Sequence, residues 1–263
     1  MSVIIYEKKD KIAYITLNRP GTMNAINSEV LKELTKAWMD VRDDPDIWVT
    51  IVTGAGDRAF SAGADLKEIA KWQLESEMEG RPPLRPGWSE ICPMRGLEVW
   101  KPFIAAINGV ATGGGLELAM ACDLRIAADT ARLGLMETKQ SLMPGWGGTQ
   151  RLPRLVPFGK ALEILMTGDF IDAKEALRIG LVNQVVPTGE LLNAATNLAN
   201  RLCENGPLAV RAVKEAAYRG VRMTLDEGLK LESLMIQNLF QAEDVKEGPR
   251  AFAEKRKPVY KGR

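Results

Sequence analysis

The chain has 263 residues, 46% of them hydrophobic, with 35 basic and 34 acidic side chains and no histidine. That length supports a sizeable buried core, and a formal charge of +1 supplies no field that would draw the protein to nucleic acid or to an anionic membrane. Without histidine it cannot build a Ser-His-Asp or Cys-His nucleophile or a histidine-ligated metal site, so proton transfer would fall to carboxylates, Lys, Tyr or Cys.

The opening MSVIIYEKKD lacks the charged-then-apolar run of a secretory signal, and no apolar stretch reaches the roughly 20 residues of a spanning helix. A soluble, cytoplasmic protein with no membrane partner is expected. Cys92, Cys122 and Cys203 are irregularly spaced and odd in number, which fits neither a disulfide framework nor a zinc knuckle and agrees with a reducing compartment.

In chain order, Lys11 to Asn18 alternates and is β-rich, predicting a strand closed by the turn Arg19-Pro20-Gly21. Ser28 is the expected N-cap of a helix in which Val30, Leu31, Leu34, Ala37 and Trp38 fall at helical spacing, ending near Asp43-Asp44-Pro45. Trp48 to Thr53 predicts a second, more buried strand. The cycle returns with Asp65 to Trp72 as helix, Phe103 to Ile107 as strand, Leu116 to Ala121 as helix and Leu124 to Ala127 as strand. Such alternation argues an α/β fold with parallel strands.

The run from Glu75 to Gly96 mixes charges with four prolines and is expected to be a long surface loop of the kind that covers binding sites. From Phe158 onward the pattern is almost all helical. Asp172 and Glu175 form a capping-box-like start, Gly180 a stop, and Glu190 to Leu202 and Leu225 to Phe240 are amphipathic. The expected organisation is a core over residues 1–199 and a helical carboxy-terminal region over residues 200–263.

The segment Asn108-Gly109-Val110-Ala111-Thr112-Gly113-Gly114-Gly115-Leu116-Glu117 leaves an apolar strand and opens a helix whose first turn has free amide donors. Consecutive glycines let a ligand oxygen approach the backbone, although the same motif alone also makes a tight strand-to-helix turn. Ala59-Phe60-Ser61-Ala62-Gly63-Ala64-Asp65 repeats the arrangement, and two such loops can aim two amides at one carbonyl oxygen. Gly54-Ala55-Gly56 does not continue as a dinucleotide-binding turn, since Asp57-Arg58-Ala59 follows and no βαβ unit with an acidic strand end comes after it.

Together with Asn18-Arg19-Pro20, Met23-Asn24-Ala25, Ala121-Cys122-Asp123, Pro144-Gly145-Trp146-Gly147-Gly148-Thr149-Gln150-Arg151-Leu152 and Ala251-Phe252-Ala253-Glu254-Lys255-Arg256, these two segments resemble the crotonase (enoyl-CoA hydratase/isomerase) family across essentially the whole chain. The resemblance is closest to enoyl-CoA hydratases. It implies a spiral of ββα repeats with a helical carboxy-terminal region that mediates trimer contacts in a homotrimer or homohexamer. It also implies an acyl-CoA thioester substrate, with coenzyme A part of that substrate and no separate cofactor, metal or nucleic acid.

The implied reaction is reversible addition of water to a trans-2-enoyl-CoA, giving a 3-hydroxyacyl-CoA. By the same resemblance the amides of Ala64 and Gly114 form the oxyanion hole, Glu117 serves mainly the water and Glu137 mainly the α-carbon proton. A carboxylate pair suits that division of labour. Outside the resemblance, Glu117 reads as a helix-start carboxylate favoured by the macrodipole and Glu137 as a solvated loop acid. Met136 stands where many relatives carry proline.

Substrate contacts are expected from Asn24, Ala25, Ile26, Ala62, Asp65, Leu66, Ile69, Met136, Gly145 and Trp146. Lys255 is expected to reach a coenzyme A phosphate across a subunit boundary, its bland alternative being membership of the solvated charge run Glu254-Lys255-Arg256-Lys257. Ile69, Met143 and Trp146 are expected to set acyl specificity, and the bulk of Trp146 favours short, branched or cyclic enoyl groups.

Three other readings stay open. Asp43-Asp44-Pro45 through Gly63 and Glu247-Gly248-Pro249 through Arg263 look like crotonobetainyl/carnitinyl-CoA hydratases, with Trp72, Trp88 and Trp146 as candidate walls, although that subgroup usually differs at Ala64-Asp65 and Gly145-Trp146. A double-bond isomerase needs only one well-placed carboxylate. Relatives that act as RNA-binding or scaffolding proteins are opposed by the balanced charge and by the presence of both glutamates.

Overall fold

The computed structural model describes residues 2–82 and 95–263. It opens with a strand that the pattern along the chain does not announce. β1 (Ile4–Lys9) pairs antiparallel with β2 (Ile12–Leu17), Ile4 opposite Leu17. Only Ile4 of β1 is buried, so its residues carry no alternation to read.

Helix α1 (Ser28–Asp43) buries Val30, Leu31, Leu34, Ala37, Trp38 and Val41. Its N-cap is Asn27, one residue earlier than expected: the Asn27 side chain accepts from the Val30 amide at 2.9 Å. Ser28 instead donates through its amide and hydroxyl to Glu68.

Three successive units then repeat one plan. β3 (Val49–Gly54) leads to β4 (Ala59–Ser61) and helix α2 (Leu66–Glu79). β5 (Phe103–Ile107) leads to β6 (Val110–Thr112) and α3 (Gly114–Ala121). β7 (Leu124–Ala128) leads to β8 (Arg132–Gly134) and the short 3-10 turn Glu137–Gln140. In each unit the first strand joins one sheet and the second strand another, and the α/β spiral follows from the repetition.

Helix α2 runs through the beginning of the segment expected to be loop. Residues 66–79 contain neither proline nor glycine, and the helix stops at Gly80, whose φ of 62° only glycine adopts cheaply. The central part of that expected loop, with Trp88 and Cys92, lies outside the described residues.

Beyond α4 (Gly148–Leu155) and α5 (Phe158–Thr167) the chain is not purely helical. β9 (Ile171–Asp172) and β10 (Gln184–Val186) flank α6 (Ala173–Arg178), and both strands are too short to show a period in sequence. Asp172 caps α6 by accepting from the Glu175 amide at 2.7 Å, whereas the Glu175 carboxylate pairs with Arg178 rather than closing a capping box.

The larger sheet has the order β1-β2-β3-β5-β7-β10 and is parallel from β2 onward; the smaller has the order β4-β6-β8-β9, with β9 antiparallel. Between them lies a core in which Ile15, Leu17, Phe60, Phe103 and Leu116 are fully buried. Each such side chain contributes roughly 1.5–3 kcal/mol by burial. The Trp38 and Phe103 rings stack at 4.1 Å, fastening α1 to β5.

Helix α7 (Leu191–Cys203) covers the other face of the large sheet. Its Leu191, Ala195 and Ala199 pack against Ile51, Ile104 and Ile126, and residue 200 falls within it. α8 (Pro207–Gly220) and α9 (Leu225–Leu239) then form a hairpin, followed by α10 (Asp244–Ala253). α9 begins at a Thr224–Glu227 capping box, buries none of its residues and exposes Leu225, Leu229, Leu234 and Ile236.

Candidate active site

The turn from β4 into α2 lies directly against the turn from β6 into α3, and Gly63 permits the approach. Its φ is +84°, and a β-carbon there would stand 2.6 Å from the Thr112 carbonyl oxygen and 2.8 Å from the Gly114 nitrogen. The Ile26 amide donates to the Gly63 carbonyl at 2.7 Å, and the Asp65 amide donates to the Ile26 carbonyl at 3.0 Å. Ala64 is thereby fixed from both sides, with its amide 3.4 Å from the position a β-carbon on Gly114 would take. Gly114 is the first residue of α3, so its amide has no acceptor within the helix.

Asn24, Ala25, Ile26 and Asp65, expected at the substrate, form the frame of this turn. Asn24 is 1% exposed and holds Arg19, Ala55 and Ala59 through its side chain. Arg19 donates to the Ala25 carbonyl at 2.7 Å and pairs with Asp65 at 2.9 Å, while Asp65 caps α2.

Glu117 lies one turn into α3 and is 2% exposed. Its Oε1 accepts from the amides of Trp146 at 2.8 Å and Gly148 at 2.7 Å. Burial pushes this carboxyl above its ordinary range, against the pull of those two amides and of the Arg151 and Arg95 charges. Arg151 steadies the same turn by donating to the Trp146 carbonyl at 2.8 Å.

Glu137 begins the 3-10 turn after β8, and its Oε2 is buried with no hydrogen-bond partner. Burial, and secondarily the Glu117 charge, raises its pKa to about 7, with its own backbone amide pulling the other way. A carboxyl with such a pKa can both hold and release a proton near neutrality.

These groups share one cavity of about 710 Å³. Of the expected site residues, Ala62, Ala64, Leu66, Ile69, Gly114, Glu117, Met136, Glu137, Gly145 and Trp146 line it, as do Trp72 and Met143. Asn24, Ala25, Ile26, Asp65 and Lys255 do not. Lys255 stands exposed just past α10 with φ +54°, while the neighbouring Arg256 is bound to Glu247 and Glu254.

Sequence reasoning did not single out Glu68, Arg95, Gln140 or Gln150, which also line the cavity. Gln150 was within reach, standing two residues past Gly148 in a motif already quoted. Glu68, Arg95 and Gln140 carry no such local signal. Among the described residues there is no metal-competent cluster of three or more His, Cys, Asp or Glu, and no helix long and apolar enough to cross a membrane.

The sequence model of the family described as enoyl-CoA hydratase/isomerase matches residues 7–263. The chain belongs to the enoyl-CoA hydratase/isomerase family. Among its relatives in that family, the crotonyl-CoA hydratase of Syntrophomonas wolfei is 47% identical over 254 residues, covering 97% of this chain and 96% of that protein. The (E)-benzylidenesuccinyl-CoA hydratase of Thauera aromatica is 44% identical over 259 residues, covering 98% and 99%. Among solved structures, the enoyl-CoA hydratase from Bacillus anthracis superposes with a TM-score of 0.87 at 39% identity, covering 99% of this chain and 100% of that one. The ββα spiral is thus the fold of this enoyl-CoA hydratase/isomerase family member.

Proposed function

We propose that this family member is an enoyl-CoA hydratase, adding water reversibly to a trans-2-enoyl-CoA to give a 3-hydroxyacyl-CoA. The observation that carries the reading is the meeting of the buried Glu117 and the half-buried Glu137 with the amides of Ala64 and Gly114 at one cavity.

The thioester carbonyl lies between the two amides. Glu117, one oxygen held by Trp146 and Gly148, offers the other to a water molecule and takes its proton as the water oxygen bonds to the β-carbon. Negative charge passes to the thioester oxygen as an enolate, where each amide contributes on the order of 3 kcal/mol. Glu137 delivers its proton to the α-carbon, and exchange with solvent resets the pair. The scheme requires no separate cofactor.

The crowded wall at Trp146 supports short, branched or cyclic acyl groups, in keeping with the crotonyl-CoA hydratase relative. The apolar stripe of α9 supports trimer contacts through the region after residue 200, with assembly as a homotrimer or homohexamer, and Lys255 would meet coenzyme A across such a contact. The free thiols of Cys122 and Cys203 suit a reducing cytoplasm.

The test is to incubate the protein with crotonyl-CoA, follow loss of the conjugated thioester absorbance and identify the product. Formation of 3-hydroxybutyryl-CoA is expected. A product with its double bond moved but unhydrated would favour an isomerase instead.

A further inference from the structure

Three successive peptide units of the turn before α4 are each held from one side, and the two outer ones hold Glu117 from the other. The Gly145 carbonyl accepts from Arg95 at 3.1 Å, and the Trp146 amide of the same unit donates to Glu117 Oε1 at 2.8 Å. The Trp146 carbonyl, in the middle unit, accepts from Arg151 Nη1 at 2.8 Å. The Gly147 carbonyl accepts from the Arg151 amide at 2.7 Å, and the Gly148 amide of that unit donates to Glu117 Oε1 at 2.7 Å. Arg151 thus binds the middle unit through its side chain and the last through its backbone.

The middle unit decides whether the two amides converge. Its rotation changes ψ of Trp146 and φ of Gly147, and so turns one outer unit against the other. Gly147, at φ +110°, has no side chain to resist that rotation. The Arg151 guanidinium resists it, packed so closely that a β-carbon on Gly147 would fall upon it. Arg151 is half-buried, whereas Arg95 is exposed, where water competes for its hydrogen bond.

The charges act through the same carboxyl. Those that act on Glu117 are Arg151 from α4, the exposed Arg95 and, from the 3-10 turn, Glu137. Burial favours the protonated acid, and an ionised Glu137 does so by repulsion. The two amides and the two guanidinium groups favour the carboxylate, which is the form that takes a proton from water.

We propose that Arg151 is a positioning residue for hydration, holding the Trp146–Gly147 peptide so that the amides of Trp146 and Gly148 meet on Glu117 Oε1. This rests on the hydratase reading and adds a residue to it. Arg151 does not line the cavity and acts only through the turn and Glu117.

The experiment follows crotonyl-CoA hydration from about pH 5 to about pH 9 in the wild type, Arg151→Gln and Arg151→Lys, and repeats both substitutions in Glu117→Gln. Arg151→Gln is expected to lower kcat by about tenfold or more with KM within about threefold. Its acid limb of kcat/KM should move upward, because loss of the cation favours protonated Glu117, while the basic limb set by Glu137 stays. Arg151→Lys keeps the charge without the fork, so its acid limb should lie near that of the wild type with kcat partly restored. In Glu117→Gln, either change should add less than about threefold. Wild-type kinetics in Arg151→Gln, an unmoved acid limb, or a loss that adds in full to that of Glu117→Gln overturns the proposal and leaves the hydratase reading intact. If Arg151→Gln does not fold, the comparison of Arg151→Lys with and without Glu117→Gln decides by the same rule. A wild type that does not hydrate crotonyl-CoA removes the hydratase reading and the proposal together.

Discussion

The indole of Trp146 occupies the space into which a β-carbon on Gly114 would project, with Cε3 and Cζ3 each 2.4 Å from that position. The ring is 5% exposed and cannot swing away without leaving the core, and its amide is one of the two that hold Glu117. Gly114 thus joins the proposed oxyanion amide to the alignment of the proposed base. Gly114→Ala is expected to lower kcat on crotonyl-CoA by about a hundredfold or more, in steady-state kinetics, while a circular dichroism spectrum shows the fold retained. Activity near that of the wild type would mean that the packing of the Trp146 ring on Gly114 does not set the alignment of that amide or of Glu117.

Asp65 caps α2, pairs with Arg19 and sends its amide to the Ile26 carbonyl, three links that together orient Ala64. Asp65→Ala is expected to cost about 1–3 kcal/mol of stability, from the lost cap and the stranded Arg19, and to reduce kcat along with it. Asp65→Asn keeps a capping oxygen and should fall between. Urea unfolding of the three proteins, read beside their kinetics, checks both effects.

Glu137 should govern the response to pH. Its carboxyl has an ordinary value of 4.5 and is raised to about 7 in the folded protein, so the folded state binds that proton more tightly than the unfolded chain. The stability it contributes is full below the ordinary value and is lost as pH rises toward about 7, above which a buried charge remains as a penalty. Glu137→Gln is therefore expected to melt above the wild type in alkaline buffer, with the gap closing as the medium is acidified through that window. Hydration should decline on the basic side of about 7, where Glu137 no longer carries the proton it delivers. Melting curves that shift in parallel at every pH would contradict this assignment.

The parallel strands were legible where burial leaves a mark. Phe103 to Ile107 is buried along its whole length and reads as an unbroken apolar run. β1 and the short β9 and β10 escaped because one buried residue, or two or three paired positions, carry no period. Glu117 and Glu137 stand in segments that could be matched to a family, so their meeting was foreseeable. The role of Asn24 and Asp65 as a frame was not, because it depends on hydrogen bonds between residues distant in sequence, Arg19 to Asp65 and Ile26 to Gly63. Arg95 gave no sign for the same reason: its place beside Gly145 is a property of the folded cavity alone.

The most direct measurement is single-turnover hydration of crotonyl-CoA by the wild type, Glu117→Gln and Glu137→Gln, each substitution keeping the shape of the side chain and removing its proton chemistry. Each variant is expected to lose about a hundredfold or more in the chemical step while still binding the thioester, with the double variant little worse than either alone. If either variant hydrates crotonyl-CoA within a few-fold of the wild type, the two-carboxylate mechanism is wrong.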